Sequence, residues 1–538
     1  MKAPRRTLLP LVTQRASGEE IATRIQQVLA SRELTLSVVS RESQLRYGEN
    51  RAYRIPHHFY ADVRTETFSP RMEQVLAFSA ITNYRLADWL ALFGFPLDDL
   101  ARLAASLPAE RTLLLDSEAY DDEAPIAWFR SKAIREPLPA IAPLGQFLEP
   151  LPPQPLKSVL SQRPSPFLYA KVGRQDAFAF PDLLPGSIVR IDTRFSHKEL
   201  LSGTASQHLF FVEHSHGFAC CRVHISGKNF ITLRSTELSF AEVALRLGPE
   251  ARVLGRLDLE FRFLVGERSP TVAPDFGVFR TPRPLAPLSA TQGFAEFAKR
   301  ARDRAGLSLR GASARSKLVA EALRDARYFC AKGTLSAYET AGRPPRHIHK
   351  LLGLCALYSL SFWDVLGAEV GKTQDLERDP IPLALLRTQS ARSRNKRVQP
   401  GGFAGGFLSD IVQEIEEIPF FLRNSLSALT GIERLSLRDV VWLGGQRHSF
   451  HPYLRGALIA FVDRKQTKPP SSGKKRLWEE PLYLLLHRDG SYHCTRCTLQ
   501  DKLLVLPPFA DGFERPVGLR QGVDAEVIGK VVALVRRL

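Results

Sequence analysis

Two hydrophobic periodicities alternate along the chain. Ile348, Leu351, Leu352 and Cys355 fall at i, i+3, i+4 and i+7, the apolar stripe of an amphipathic helix, and Phe294, Phe297, Ala298 and Ala301 recur at the same spacing. Gly306 stands where a glycine closes a helix, and Ser308 where a hydroxyl caps the next, opening at Leu309. With the segment 333–366, the pattern predicts a compact all-α block of five short helices. Elsewhere the period drops to two. The segments 187–191, 208–213, 218–224 and 229–235 read as short strands, parted by turn signals at Pro185-Gly186, His216-Gly217 and Ser226-Gly227-Lys228. The same order returns in 456–463, 481–487, 491–497, 502–506 and a last strand from Val527.

The return is collinear. VLGRLDLEFRFL at 253–264 matches VIGKVVALVRRL at 527–538 without a gap, 274 positions on, and FACCRV at 218–223 matches YHCTRC at 492–497 at the same offset. YRLADWLAL at 84–92 and YSLSFWDVL at 358–366 keep it too, while FPDLLPGSIVRID at 180–192 answers FHPYLRGALIAFVD at 450–463 at 270 with one extra residue. A fixed period of this kind argues for a tandem duplication. The expected fold is therefore α+β and multidomain, with all-α modules alternating with small, mostly β modules in the order A–B–A′–B′. The boundaries read as a helical module over 18–97, an acidic then Pro-rich linker over 98–160, a β module over 161–265, a Pro-rich linker over 266–290, a second helical module over 291–371, a linker over 372–435 and a second β module over 436–538.

Charge narrows the partner. The 538 residues are 44% hydrophobic and 24% charged, a balance that builds cores and excludes a disordered or fibrous chain. Lys and Arg number 74 against 56 Asp and Glu, a net charge of +18. Such an excess concentrates polyanions, of which nucleic acid is the commonest. No uninterrupted apolar run of about eighteen residues exists, and the basic start, MKAPRRTLLPLVTQ, is broken by Pro10 before it can form a signal peptide. The expectation is a cytoplasmic, nucleoid-associated protein with no membrane partner. Of the six cysteines only Cys494 and Cys497 have ligand spacing, with no second pair to complete a zinc site. All six read as small buried hydrophobes, and neither metal nor cofactor is expected.

The helical residues resemble the Cro and phage-repressor type of helix-turn-helix. The likeness rests on LSLRGA at 307–312 as the helix before the turn, TLSAYET at 334–340 as the recognition helix, and RPPR at 343–346 leading into a supporting helix. About twenty residues, 313–333, stand where the family has a tight turn. The first copy carries LTLSVVS at 34–40 and then 56–86. In this family the N-terminal end of the recognition helix meets base edges in the major groove. By position that implies Lys332, Thr334, Ser336 and Tyr338 in the second copy and His57, His58, Tyr60 and Arg64 in the first, with Arg346 beside them. Hydroxyls suit bases or phosphates, while Lys332, Arg64 and Arg346 neutralise phosphates. Two plainer readings stay open: Tyr60 and Tyr338 pack beneath their helices, and His57 and His58 are ordinary surface residues.

The β segments resemble the C-terminal domain of LexA and the phage repressors, through PGSIVRID at 185–192, RGALIAFVD at 455–463, the paired hairpin, and the closing VLGR and VIGK. That family is a serine/lysine self-peptidase. Its serine position falls on Ala177 and Arg447 here, and its lysine position on Cys221 and Thr495. A hydroxyl nucleophile with a lysine base cannot be assembled from these residues, so the resemblance implies an inactive peptidase fold used for pairing and no catalytic residues. The expected function is a bacterial, sequence-specific transcriptional regulator, repressor-like, that binds double-stranded DNA as an intramolecular pseudo-dimer. Its two unlike recognition segments imply an asymmetric operator. Further self-association is open, and no small-molecule effector is specified. The alternatives are a self-cleaving repressor using Ser187 or Ser449, and a protein–protein scaffold that no longer touches DNA.

Overall fold

Hydroxyl caps and left-handed stops cut the helical stretches into short rods. The structure is a computed structural model. It describes residues 17–48, 50–65, 68–84, 86–95, 97–115, 129–131, 141–146, 148–150, 167–176, 178–195, 200, 208–226, 230–234, 243–264, 293–342, 344–362, 364–366, 439–443, 454, 457–471, 480–506 and 516–538. These form two compact units, which divide the chain by secondary structure and not by sequence order: helices up to Leu107 and after Pro287 share one, and the strands of 108–286 and 402–538 share the other.

The helical unit holds α1 (Gly18–Ala30), α2 (Leu36–Tyr47), α3 (Phe59–Val63), α4 (Met72–Thr82), α5 (Leu86–Leu92) and α6 (Leu97–Ser106), then α7 (Phe294–Arg304), α8 (Leu309–Ala322), α9 (Lys332–Ala341) and α10 (Ile348–Tyr358). Ser17 opens α1 with a capping box, accepting from the Glu20 N–H while the Glu20 carboxylate accepts from its own. Thr35 caps α2 through the Val38 N–H, and Ser308 caps α8 through the Gly311 N–H at 3.1 Å. As the spacing predicts, α7 stops at Gly306 with φ +69. The stripe Ile348, Leu351, Leu352 and Cys355 is buried along α10. Asn83 after α4 and Ser359 after α10 both take left-handed φ, +57 and +52.

Two expectations change here. The helix before the turn runs well past residue 312, to Ala322, and the rest of the expected insert folds as a 3-10 turn at Ala326–Tyr328. The region 98–160 is also more than a linker. It begins inside α6, whose Leu100, Leu103, Ala104 and Leu107 are buried at helical spacing, and it contains β1 (Leu113–Leu115), β2 (Phe129–Ser131), β3 (Ala142–Pro143) and β4 (Leu148–Pro150). The linkers at 266–290 and 372–435 lie outside the described residues.

The β unit continues with β5 (Phe167–Lys171), β6 (Ile188–Asp192), β7 (Phe210–His214), β8 (Gly217–Ser226), β9 (Phe230–Arg234), β10 (Val243–Arg246) and β11 (Ala251–Phe263). The later segment adds β12 (Val440–Trp442), β13 (Ala457–Asp463), β14 (Leu482–His487), β15 (Tyr492–Arg496), β16 (Thr498–Gln500), β17 (Leu503–Leu506), β18 (Val517–Arg520) and β19 (Ala525–Arg537). Fourteen strands join one antiparallel sheet whose path runs β10-β9-β8-β7-β11-β19-β13-β12-β3, with β1-β5-β6 branching from β11 and β14-β15 from β19.

The two long strands organise everything else. Ala251 of β11 lies opposite His214 of β7, and Ala525 of β19 opposite His487 of β14. Arg256 faces Asp192 on β6, and Lys530 faces Asp463 on β13. Leu254 bulges out of register with β7, and Ile528 out of register with β14. Gly255 and Gly529 follow those bulges, inside their strands and not at the starts. A Cβ on Gly255 would come within 2.6 Å of the Asp192 carbonyl oxygen, and one on Gly529 within 2.6 Å of the Asp463 carbonyl oxygen, so no larger residue fits without movement. The C-terminal halves of β11 and β19 then pair with each other, Leu259 opposite Arg537 and Phe263 opposite Ala533, with Phe261 opposite Val535 at the centre.

Candidate nucleic-acid interface

The helix α9 carries Lys332, Thr334, Ser336 and Tyr338 from the second set of candidate residues. α9 is ten residues long and is held to its neighbours by ionic and aromatic contacts on one side. Glu339 accepts from Arg302 of α7 at 2.7 and 2.9 Å, and the Tyr338 ring packs edge-on against Phe294 with centroids 6.3 Å apart. Leu335 is the buried anchor. Lys332 at the start of α9 is exposed, Thr334 and Ser336 are half-buried, and Arg346 is exposed in the connection to α10. Tyr338 is half-buried too, and burial pushes its phenol up, so the packing role is realised for this residue.

Reading the sequence missed a second set of exposed cations. Arg310, Lys317 and Arg324 recur every seven residues along and just beyond α8, and all three are exposed. A seven-residue spacing keeps Arg310 and Lys317 on one face of α8, a signal the sequence carries openly, while Arg324 lies past the end of the helix with φ +51. None of Arg310, Lys317, Arg324, Lys332 or Arg346 meets an acidic group among the described residues.

The first helical segment is arranged differently. α3 spans only five residues. His57 and His58 are exposed: the His57 ring lies 3.5 Å from the Ser40 hydroxyl, and His58 lies 3.4 Å from Asp62. Tyr60 is half-buried, with its phenol raised by desolvation. Arg64 is exposed but committed, donating to both oxygens of Glu19 at 2.6 and 3.1 Å.

The earlier and later helical segments meet inside the helical unit at the residues that open α4 and α10. Arg71 and His347 form an antiparallel bridge, and they are the N-cap positions of those two helices. Beside them the Ser69 hydroxyl lies 2.8 Å from Nδ1 of the buried His349, and Arg327 donates to the Phe68 carbonyl at 2.5 Å. Phe95 and Tyr328 stand edge-on to the His349 ring at 4.8 and 5.1 Å between centroids, and Asp325 lies 3.4 Å from its other nitrogen.

In the β unit, the candidate nucleophile Ser187 is buried and donates its hydroxyl proton to Glu260 at 2.9 Å. Ala177, Arg447 and Ser449 lie outside the described residues. Cys221 and Thr495, the positions of the family's lysine, face Phe210 and Tyr483 in matched hairpins. Burial pushes the Cys221 thiol well up and the Cys494 and Cys497 thiols up to about 12, which disfavours thiolate chemistry. Next to Ala177, Asp176 accepts from the Thr112 hydroxyl at 2.6 Å and the Cys220 N–H at 2.9 Å, and burial of its carboxyl raises it to about 6. No group of three His, Cys, Asp or Glu able to hold a metal ion occurs among the described residues, and no helix among them is long and apolar enough to cross a membrane. No family model, curated protein or solved structure matches the chain.

Proposed function

We propose that the chain is a sequence-specific, double-stranded-DNA-binding transcriptional regulator, built by tandem duplication in the order A–B–A′–B′ and paired within itself as a pseudo-dimer. The observation that carries the DNA reading is a group of exposed cations on and beside α8 and α9, Arg310, Lys317, Arg324, Lys332 and Arg346, none of them paired with an acid among the described residues, against one exposed acid on the two helices, Glu321. Residues 294–358 contain thirteen Lys and Arg against five Asp and Glu, a net of +8. A surface of that sign on a groove-sized helix is the electrostatic footprint of a phosphate contact.

The duplication is supported by registers. The partners of β11 and β19 correspond strand by strand, their bulged residues Leu254 and Ile528 are 274 positions apart, and so are Phe261 and Val535, which face each other. A strand that pairs with its own counterpart, centred on one equivalent position, is the isologous contact of a two-fold dimer made inside one chain. The β segments act as the clasp and the helical segments as the reading part.

The test is an electrophoretic mobility shift of the full chain against fragmented genomic DNA, including its own promoter region, with excess unlabelled competitor. One or a few fragments should shift at concentrations that leave the bulk free, and affinity should fall steeply with salt. Equal retention of all fragments, or none at low salt, overturns the reading.

A further inference from the structure

Resting on the DNA reading above, we propose that only the second helical segment touches DNA, and that the first is a neutral brace that fixes the reader in place. Charge is the first ground. Residues 18–92 hold nine Lys and Arg against nine Asp and Glu, a net of zero, whereas 294–358 reach +8. Duplex DNA is bound largely through released counterions, and a neutral surface releases few.

The commitments of the arginines point the same way. In the first segment Arg64 is held by both oxygens of Glu19, Arg46 donates to the Ala80 carbonyl at 3.0 Å and lies 3.6 Å from Glu42, Arg54 donates to the Gly48 carbonyl at 2.7 Å, and the Arg32 guanidinium covers the Tyr84 ring at 4.7 Å. Exposed cations without an acidic partner among the described residues number four in the first segment, Arg24, Arg41, Arg51 and Arg71, against six in the second, Lys299, Arg310, Lys317, Arg324, Lys332 and Arg346.

Helix length is the third ground. At about 1.5 Å per residue, the five residues of α3 make about 7.5 Å of helix, while the ten of α9 make about 15 Å. A major groove about 12 Å wide is spanned by the second and not by the first.

What the first segment does instead is visible in its contacts. Phe68, Ser69 and Arg71 bond Arg327, His349 and His347, which bracket α9 on both sides in sequence. The brace therefore holds the turn before the reader and the start of the helix after it. The protected site should be one half-site, about one helical turn.

The experiment uses the full chain and a fluorescein-labelled 24-base-pair duplex of mixed sequence, with anisotropy titrations between about 50 and 200 mM KCl. The triple variant R310A/K332A/R346A should flatten the slope of log K against log salt by about 0.9 per lost contact, so by about 2 to 3. The triple variant R24A/R41A/R51A, all exposed, should leave it within about 0.5, and R310K/K332R/R346K should keep the wild-type slope. Hydroxyl-radical footprinting on a fragment recovered from the mobility-shift experiment should then protect a single turn. Equal losses from the two alanine triples, or two protected turns a helical repeat apart, overturn this inference alone. A wild-type chain that leaves the duplex unbound overturns the DNA reading as well.

Discussion

Replacing Glu260 with glutamine should cost the β unit about 3–5 kcal/mol, because one carboxylate holds two guanidiniums in the middle of the β11–β19 contact. Around the central pair, Glu260 lies opposite Arg536 and Arg262 opposite Leu534. Arg262 and Arg536 are 274 positions apart, whereas the residue 274 beyond Glu260 is Leu534, so Glu260 meets one fully buried guanidinium and one that is 12% exposed. Both members of the Glu260–Arg262 pair are 0% exposed, with Nη2 to Oε2 at 2.9 Å and Nε to Oε1 at 3.0 Å. Arg536 Nη1 lies 3.4 Å from the same carboxylate, and Ser187 donates to it at 2.9 Å. Both arginines also donate to the Asp182 carbonyl. Glutamine preserves the shape and an acceptor oxygen and removes only the charge.

Removing one member of a buried ion pair costs about 3–5 kcal/mol, since the desolvated partner is left uncompensated, and whole domains are stable by only about 5–15 kcal/mol. The assay is urea denaturation of the full chain followed by far-UV circular dichroism. With a slope of about 3 kcal/mol per molar urea, E260Q should lower the midpoint by about 1–1.7 M. The triple replacement E260L/R262M/R536L removes the charges together and should fall within about 1 kcal/mol of the wild type or exceed it, because apolar packing often matches a buried ionic cluster. A midpoint shift under about 0.3 M for the glutamine variant, or a collapse of the apolar triple, would refute the claim that the carboxylate holds this seam by charge.

Two further outcomes follow from single positions. G255A and G529A should each lose about 1–3 kcal/mol by overpacking, since each new Cβ would meet a carbonyl oxygen at 2.6 Å; thermal unfolding of both variants checks this, and a loss below about 0.5 kcal/mol in either contradicts the close approach. Asp176, raised to about 6 against an ordinary value of about 3.9, binds its proton more tightly when folded. Its contribution is complete below about pH 4 and is lost as pH rises through about 6. Unfolding temperatures should fall over that window, D176N should flatten the fall, and parallel profiles would dismiss the assignment.

The local signals were legible in the residues. Ser308 caps where a serine precedes an apolar run, Gly306 stops where a glycine follows one, and the stripe through Ile348 and Cys355 is buried. Composition misled where it competed with periodicity. The acidic and proline-rich residues after 115 gave the whole of 98–160 the look of a tether, although Leu100, Leu103 and Leu107 keep helical spacing. Letter identity misled too. Tyr84 and Tyr358 match in sequence at 274, but the left-handed stops Asn83 and Ser359 are 276 apart, so Tyr358 is the last residue of α10 while Tyr84 follows the stop after α4.

The seam itself illustrates a deeper limit. The run Asp258-Leu259-Glu260-Phe261-Arg262-Phe263 alternates charged and apolar residues, the ordinary signature of a strand with one face in water. In the folded chain Leu259 and Phe261 are buried at 4% and 3% exposure, and Glu260 and Arg262 at 0%. Both faces are inside because Glu260 pairs with Arg262 on its own strand and shares its carboxylate with the Arg536 guanidinium from β19, while the Asp182 carbonyl accepts from both arginines. Alternation reports the chemistry of a face, not its solvent, and the two coincide only when no partner supplies the opposite charge. Arg536 supplies it here from 274 residues beyond Arg262, a distance over which no local pattern can speak. That is why the strands could be read from the chain while their pairing at Phe261 and Val535 required the fold.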